Sequence, residues 1–419
     1  SADLYSRKVL KVQEVLTRMS KPGFTGRQPL FKYAELSLVK KIIADGFEPL
    51  GVEVLHVKRA VGRYIAEDIT APVDLPNFSI SHVDGYAVSE CDSTVYRVVK
   101  GDLKNPCEAV YVNTGEPVPE GALFVAPVEA VRVLGNDYIE VHGKHKKHEE
   151  IIAKGSDVQR GFRICRRGDL ITPSLAKLLI DLGFEEVKVY RRPRVLVLPV
   201  GSEFTSNLKR ESSSSMVKAM CESVGAVVDV EEPVEDSIEI VRSVVENALS
   251  EHDAVVTIGG VSLGEHDVTL TALLSISGST MLVRGLRVQP GRTTSLVLVK
   301  GKPVVLLPGL VQSTVSGSIF LAQPLIKRLQ GSEPVAHYPV GYYKLAEDYV
   351  YKGRFLSFTR IRFAKLVNTE DLEVVIEEAP SPLQRVIYTS YGFVLIEPGV
   401  SLLRKGTLVK LYRTPGLYI

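Results

Sequence analysis

Ala254-Val255-Val256-Thr257-Ile258-Gly259-Gly260-Val261-Ser262-Leu263-Gly264-Glu265-His266-Asp267 is a strand pattern that runs straight into a glycine-rich loop, with a helical pattern opening at Val268. Five successive apolar or β-branched residues without alternation predict a strand covered on both faces, the habit of strands in parallel sheets. In open α/β sheets, ligands settle beyond the carboxyl ends of such strands, where loops expose backbone N–H groups and helix N-termini. Gly259, Gly260 and Gly264 let the backbone approach an anion closely, and Ser262 adds a hydroxyl donor. Asp267, at the helix start, reads as a cap, a magnesium ligand or both. By itself the loop fits a phosphate site and a plain tight turn equally.

Outward from this stretch the same texture repeats. Strand patterns over 195–200 and 227–230 alternate with helical patterns over 216–224 and 238–249. Each crossover must return the chain to the same end of the sheet, so residues 193–330 are expected to form a doubly wound α/β domain with a parallel sheet. Two further loops occupy comparable places. Leu307-Pro308-Gly309-Leu310-Val311-Gln312-Ser313 follows an apolar strand and precedes a helix, and its plain reading is a turn with an N-cap. Pro290-Gly291-Arg292 leads into a strand over 295–299, and a guanidinium there is suited to pairing with phosphate. Glu203, just past the first strand, suits metal or substrate contact, although a surface glutamate at a strand end is common.

The flanks read differently. Residues 76–159 are short β-branched runs between Gly, Pro, Asn and Asp turns, a small β domain in which Asp84-Gly85 is a hairpin signal. Its His142-Gly143-Lys144-His145-Lys146-Lys147-His148 run raises metal binding, but no Cys or carboxylate completes a ligand spacing, and basic hairpin tips are usually solvated. Residues 335–419 read as β segments of a small barrel or sandwich. An N-terminal helical and linking domain is assigned to 1–75 and 160–192. It holds an amphipathic segment from Val9 to Met19, a breaker-rich linker, a helix over Leu36 to Asp45, and a stretch between Val52 and Thr70 that alternates and then turns helical before Pro72.

A length of 419 residues exceeds one core and sets a prior of about two to four domains. With 45% hydrophobic and 24% charged residues the chain is an ordinary globular one, and a net charge of +2 supplies no global field for nucleic acid or membrane. Cys91, Cys107, Cys165 and Cys221 show no CxxC spacing, and nothing near the start reads as a signal core, so a cytoplasmic location is expected. No run approaches the ~20 apolar residues of a membrane span. Walker loops, nucleophile elbows and HExxH pairs are absent from the sequence, which removes the usual hydrolase and nucleotide-kinase readings.

Several ordered motifs together resemble one family. They are Val83-Asp84-Gly85-Tyr86-Ala87-Val88; Thr114-Gly115-Glu116-Pro117 with its continuation to Gly121; Gly168-Asp169-Leu170; Arg192-Pro193-Arg194-Val195; the Gly259–Asp267 loop; Pro290-Gly291-Arg292; and Leu307-Pro308-Gly309. Over about residues 36 to 419 the chain resembles the molybdopterin molybdenumtransferases, the family of the bacterial and archaeal MoeA proteins and the E domain of gephyrin. That resemblance implies a four-domain subunit paired in a homodimer, with an active-site cleft lined by both subunits. It implies insertion of molybdate into adenylylated molybdopterin with release of AMP, with Mg2+ or another divalent ion present, and the molybdopterin adenylyltransferase as a partner.

Carried over residue by residue, the catalytic positions are Glu203, Asp236, Asp267, Arg292 and Arg360, with Glu203 and Asp267 as metal ligands. The ligand-binding positions are Thr114, Gly115, Gly259, Gly260, Ser262, Gly264, Gly291, Pro308, Gly309 and Ser313. Other positions depart from the pattern. Ser79 stands where the family has an acid, Gln289 and Arg292 replace two lysines, Ser202 precedes Glu203 in place of an acid, and Leu310 replaces an amide. Losing a carboxylate, a cation and a polar donor around one cleft implies altered ligand preference or weakened catalysis. The alternative carried forward is therefore a catalytically weakened paralogue that binds molybdopterin or a partner protein as a scaffold.

Overall fold

The computed structural model describes residues 32–206, 208, 210–261 and 267–418. The Val9 to Met19 segment, with Ser262 and Gly264, lies outside the described residues. The chain divides into two compact units, one built from residues up to Val54, Gly62–Ala66 and Lys188 onward, the other from Leu55–Val61 and Glu67–Val187.

The first unit contains the α/β domain. Its sheet has seven strands in the order Lys32–Ala34, Thr280–Leu286, Ser295–Val299, Lys302–Leu307, Ala254–Ile258, Arg194–Pro199 and Val227–Val230. The four strands from Lys302–Leu307 to Val227–Val230 are parallel, as expected from the alternation. Ser295–Val299 instead runs antiparallel to both of its neighbours, Thr280–Leu286 and Lys302–Leu307, so the sheet is mixed. The reason is local: Lys300 and Gly301, both at positive φ, make a tight connection that leaves no length for a crossover helix.

Alternate residues of each central strand enter opposite cores. Val195, Val197, Val256, Ile258, Val305 and Leu307 pack with helices Leu36–Gly46 and Ser213–Glu222 on one face. Leu196, Leu198, Val255, Val304 and Leu306 pack with Ile238–Glu251 and Val268–Ser275 on the other. This double burial explains why the strands read as unbroken apolar runs rather than alternating ones. The helix over 36–46 is found, but after the strand Val52–His56 the chain makes a single 3-10 turn, Val57–Arg59, instead of the expected helix.

After the α/β domain, five strands close on themselves: Thr359–Asn368 pairs with Glu373–Glu377, then Tyr338–Leu345, Leu408–Arg413, Gly392–Ile396, and back to Thr359–Asn368. Of the two forms expected, barrel or sandwich, these pairings make a small barrel around Leu345, Val374, Val394 and Leu411. One further strand, Val288–Gln289, joins its edge in parallel and sets Gln289 against Arg360.

The second unit holds a six-stranded sheet in the order Phe124–Pro127, Gly85–Val88, Glu108–Val112, Val95–Val98, Tyr138–Val141, Val131–Leu134. Cys91 and Cys107, in the segments between Gly85–Val88, Val95–Val98 and Glu108–Val112, form a disulfide, so the cysteines that showed no spacing motif are partly paired, and Cys165 and Cys221 are buried thiols. The histidine run is engaged locally: His145 stacks on Phe124 at 4.7 Å, and its Nε2 contacts the His142 carbonyl at 3.1 Å. Among the described residues no helix is long and apolar enough to cross a membrane.

Candidate functional site

At the carboxyl ends of the parallel strands, three chain segments meet through glycine. Gly259 has φ +91°, and a Cβ there would stand 2.2 Å from the Val200 carbonyl oxygen. Only a residue without a side chain permits this approach. A Cβ on Gly309 would stand 3.5 Å from the Gly259 Cα, which brings the Pro308-Gly309 loop against the first loop. At Gly260 (φ +60°) a Cβ would be 2.3 Å from Thr269 Oγ1 and 3.3 Å from Asp236 Oδ1. The glycine turns and Asp236 therefore converge at one rim.

The acids on this rim differ in their surroundings. Glu203 is exposed in the short helix Ser202–Thr205, which begins where Val200 leaves the sheet. Asp236 is tied reciprocally to that helix: the Ser202 N–H donates to its carboxylate at 3.0 Å, and the Asp236 N–H donates to Ser202 Oγ at 3.1 Å. Thus Ser202, read as a loss against the family pattern, orients Asp236. Asp267 is buried and caps Val268–Ser275, its Oδ1 accepting from the Leu270 N–H at 2.9 Å. The cap half of its two-part reading is thereby found.

The Pro290-Gly291-Arg292 turn packs against the helix Val311–Gly317, since a Cβ on Gly291 (φ +108°) would meet Ser316 Cβ at 2.8 Å and the Ser313 carbonyl at 3.4 Å. Arg292 lies over the Phe355 ring, 5.0 Å from its centroid. Beside this turn opens a cavity of about 840 Å³ lined by residues of the α/β domain, including Gln289, Pro290 and Gln312, and of the barrel, including Tyr351, Arg362, Glu378 and Ser381.

Arg360 and Arg362 share one face of the strand Thr359–Asn368, as the two-residue period requires. Arg360 is fully buried, stacks on Tyr351 at 4.2 Å, and donates through Nη2 to the Val400 carbonyl. Its Nε and Nη1 have no hydrogen-bond partner among the described residues. Burial pushes its pKa below the usual guanidinium value. A desolvated guanidinium with unpaired donors is costly unless an anion comes to it.

Arg362, which the sequence reading did not single out, is held by the residue that replaces a family lysine: its Nη1 and Nη2 donate to the main-chain and side-chain oxygens of Gln289 at 3.1 and 2.9 Å. Gln312 was likewise missed. It is buried, and its amide donates to the Pro380 and Leu383 carbonyls at 2.9 and 2.7 Å, pinning the barrel loop that carries Ser381 to the α/β domain. The Arg-x-Arg alternation was the available signal for Arg362; nothing local marks Gln312.

In the second unit, Asp84 does not make the hairpin turn its sequence suggested but leads into Gly85–Val88. Its Oδ1 accepts from the Thr114 N–H at 2.6 Å and the Thr114 hydroxyl at 2.8 Å. These two bonds hold its carboxyl below the usual range. Gly115, at φ +81°, donates its N–H to the Ser81 carbonyl at 2.8 Å. Ser79 Oγ accepts from the Lys154 N–H at 3.3 Å.

Fold and site together define a multidomain protein whose α/β domain carries a glycine-lined rim at its strand ends and shares a cavity with a barrel that contributes Arg362. Residues 34–183 match the family model of the MoeA N-terminal region (domain I and II), and residues 196–328 match that of the probable molybdopterin binding domain. The chain belongs to the MoeA family. It is 27% identical to a protein assigned to molybdopterin biosynthesis in Methanocaldococcus jannaschii, over 91% of this chain and 97% of that one. It is 28% identical to a molybdopterin molybdenumtransferase of Staphylococcus aureus, over 73% of this chain and 78% of that one. Its fold is similar to the crystal structure of a molybdopterin biosynthesis MoeA protein from Pyrococcus horikoshii, with a TM-score of 0.74 at 21% identity, covering 91% of this chain and 100% of that one.

Proposed function

We propose that this chain acts in molybdenum cofactor biosynthesis as a molybdopterin molybdenumtransferase, inserting molybdate into adenylylated molybdopterin with release of AMP. The observation that carries this reading is the buried Arg360 with unpaired Nε and Nη1 donors, on the strand whose Arg362 lines a cavity of about 840 Å³. The glycine rim around Gly259, Gly260 and Gly309 supplies close backbone approach for the phosphate and pterin parts of the substrate, with Ser313 and Arg292 at its edge. The arginines of the barrel supply charge for the oxyanion.

In the proposed reaction water attacks the phosphoanhydride that joins AMP to molybdopterin, AMP leaves with its own phosphate while molybdopterin keeps the other, and molybdate takes up the two dithiolene sulfurs as one of its oxides departs as water with the two thiol protons. Glu203, the exposed acid of the rim, orients the attacking group and accepts its proton. Asp236, fixed by its two bonds to Ser202, keeps the start of the Glu203 helix in place. Among the described residues no group of three or more His, Cys, Asp or Glu side chains is placed to hold a metal ion. Glu203 and Asp267 would be the carboxylates that hold Mg2+ in this reading, with water and substrate phosphate completing the shell. When bound, the ion would neutralise charge on the departing phosphate. Homodimerisation, with Thr114 and Gly115 facing substrate, a cytoplasmic location and the adenylyltransferase as the source of substrate belong to the same proposal.

The test mixes purified protein with adenylylated molybdopterin, molybdate and Mg2+ and follows AMP. Slow, measurable release is expected, and Glu203→Ala should abolish it while the melting temperature holds. No AMP above background, with tight pterin binding intact, overturns the transferase reading.

A further inference from the structure

We propose that Glu378 is a resident counter-ion of the cavity: its carboxylate oxygen fills the place where Arg362 and Tyr349 bind an oxygen of an incoming tetrahedral oxyanion, and so sets oxyanion affinity. This rests on reading the cavity as the oxyanion site of the proposed reaction.

Two donors converge on one atom. Glu378 Oε1 accepts from the Tyr349 hydroxyl at 2.7 Å and from Arg362 Nε at 3.0 Å. One charged and one neutral donor aimed at a single oxygen is the arrangement by which proteins hold oxyanions. Tyr349 stays a donor at neutral pH, because burial pushes its hydroxyl up to about 12.

The rest of the Arg362 guanidinium is anchored elsewhere. Nη1 donates to the main-chain oxygens of Gln289 and Ile361 at 3.1 and 2.9 Å, and Nη2 to Gln289 Oε1 at 2.9 Å. The Nε edge therefore keeps its position when its partner changes. Glu378 is the movable member: it sits just past the strand Glu373–Glu377, and its side chain is 45% exposed. It can turn into water at small cost.

The charge around the cavity gives this exchange its effect. The lining carries Lys352 and Arg362 against Asp348, Glu377 and Glu378. Asp348 is engaged by Arg404 at 2.8 Å and the Lys405 N–H at 2.7 Å, and Glu377 accepts from the Thr389 hydroxyl at 3.1 Å. Glu378 is the acid set against Arg362. A dianion that binds must displace it, so affinity is the difference between two partners of one guanidinium rather than the full strength of the new contact.

The experiment is calorimetric titration of the full chain with sodium molybdate and, separately, sodium sulfate. Glu378→Gln should bind both oxyanions about tenfold more tightly, since a negative charge at contact distance is removed. Adding Tyr349→Phe to that variant should return about threefold of the gain. Loss of a merely structural glutamate would weaken binding and lower the melting temperature, so tightening at an unchanged melting temperature is the distinguishing sign. Unchanged or weaker molybdate binding by folded Glu378→Gln overturns the proposal. Oxyanion tightening without any AMP release by the wild-type chain leaves the proposal standing and sinks the transferase reading. AMP release without tightening does the reverse.

Discussion

The two ends of the α/β sheet are built from similar residues to opposite effect. At the amino ends several charges are met by neighbours. Arg191 holds Asp253 with two bonds of 2.7 and 2.9 Å, Arg194 and His252 both reach Asp229, and Lys302 donates to the Leu249 and His252 carbonyls. At the carboxyl ends the chain spends glycines instead, bringing backbone against backbone at Gly259 and leaving Glu203 exposed. One rim is closed by side chains that satisfy each other; at the other, among the described residues, close backbone approach through glycine takes their place. The first arrangement satisfies charge, and the second matches the strand ends where open α/β sheets generally bind ligands.

The sharpest way to break this contrast is to put a methyl group on the open rim. Gly259→Ala places a Cβ 2.2 Å from the Val200 carbonyl at φ +91°. A cost of about 3 kcal/mol or more is expected, read as a lowered denaturation midpoint. Gly399→Ala is the control, because Gly399 has a similar φ of +87° with nothing within 4 Å. There the loss should stay near 1 kcal/mol, the backbone penalty alone. Equal losses would mean that close approach, as distinct from backbone conformation, is not what the rim requires.

A smaller effect, of opposite sign for stability, is expected in the barrel. Arg360→Met removes a fully buried guanidinium whose Nε and Nη1 are unpaired, at the expense of the bond to Val400 and the stack on Tyr351. Stability should hold or rise by about 1–2 kcal/mol, as when other buried charges are replaced by apolar groups. Molybdate binding should fall about tenfold. Thermal unfolding and titration of the same sample check both halves. A large loss of stability would make Arg360 a structural strut and move it from the open class to the closed one.

How far these features could be read beforehand follows from where their causes lie. Gly259, Gly260 and Gly309 were legible because strand, loop and helix are consecutive in the chain, and glycine at that junction has a local steric meaning. The barrel was legible as β segments, but its cavity was not. Arg362 matters because Val288–Gln289 leaves the α/β domain to pair with Thr359–Asn368, a contact across about seventy residues that no periodicity encodes. Gln312 is the same case: its three carbonyl partners lie between residues 379 and 383. The mixed sheet was misread because a tight turn at Lys300 and Gly301 looks, in sequence, like any break between two apolar runs. Ser202 was misread for a related reason, since a serine replacing an acid looks like a loss until its hydroxyl is seen to accept from the Asp236 N–H.

The closed end offers the smallest and most specific test. Burial alone would push the Asp253 carboxyl up, but the Arg191 guanidinium and the Arg194 N–H outweigh it and hold the pKa below the usual value. A carboxylate whose folded pKa is depressed adds stability that is fully present above the unfolded value of about 4 and is lost as pH falls through the folded value. Asp253→Asn should therefore cost under about 1 kcal/mol at neutral pH, where Arg191 remains partly solvated. It should also flatten the fall in urea midpoint below about pH 4 relative to wild type. AMP release and molybdate binding should be unaltered, since Asp253 sits at the amino ends of the strands. If Asp253→Asn instead reduced oxyanion binding while the midpoint held, the charges of the closed end would reach the ligand, and the division between the two rims would fail.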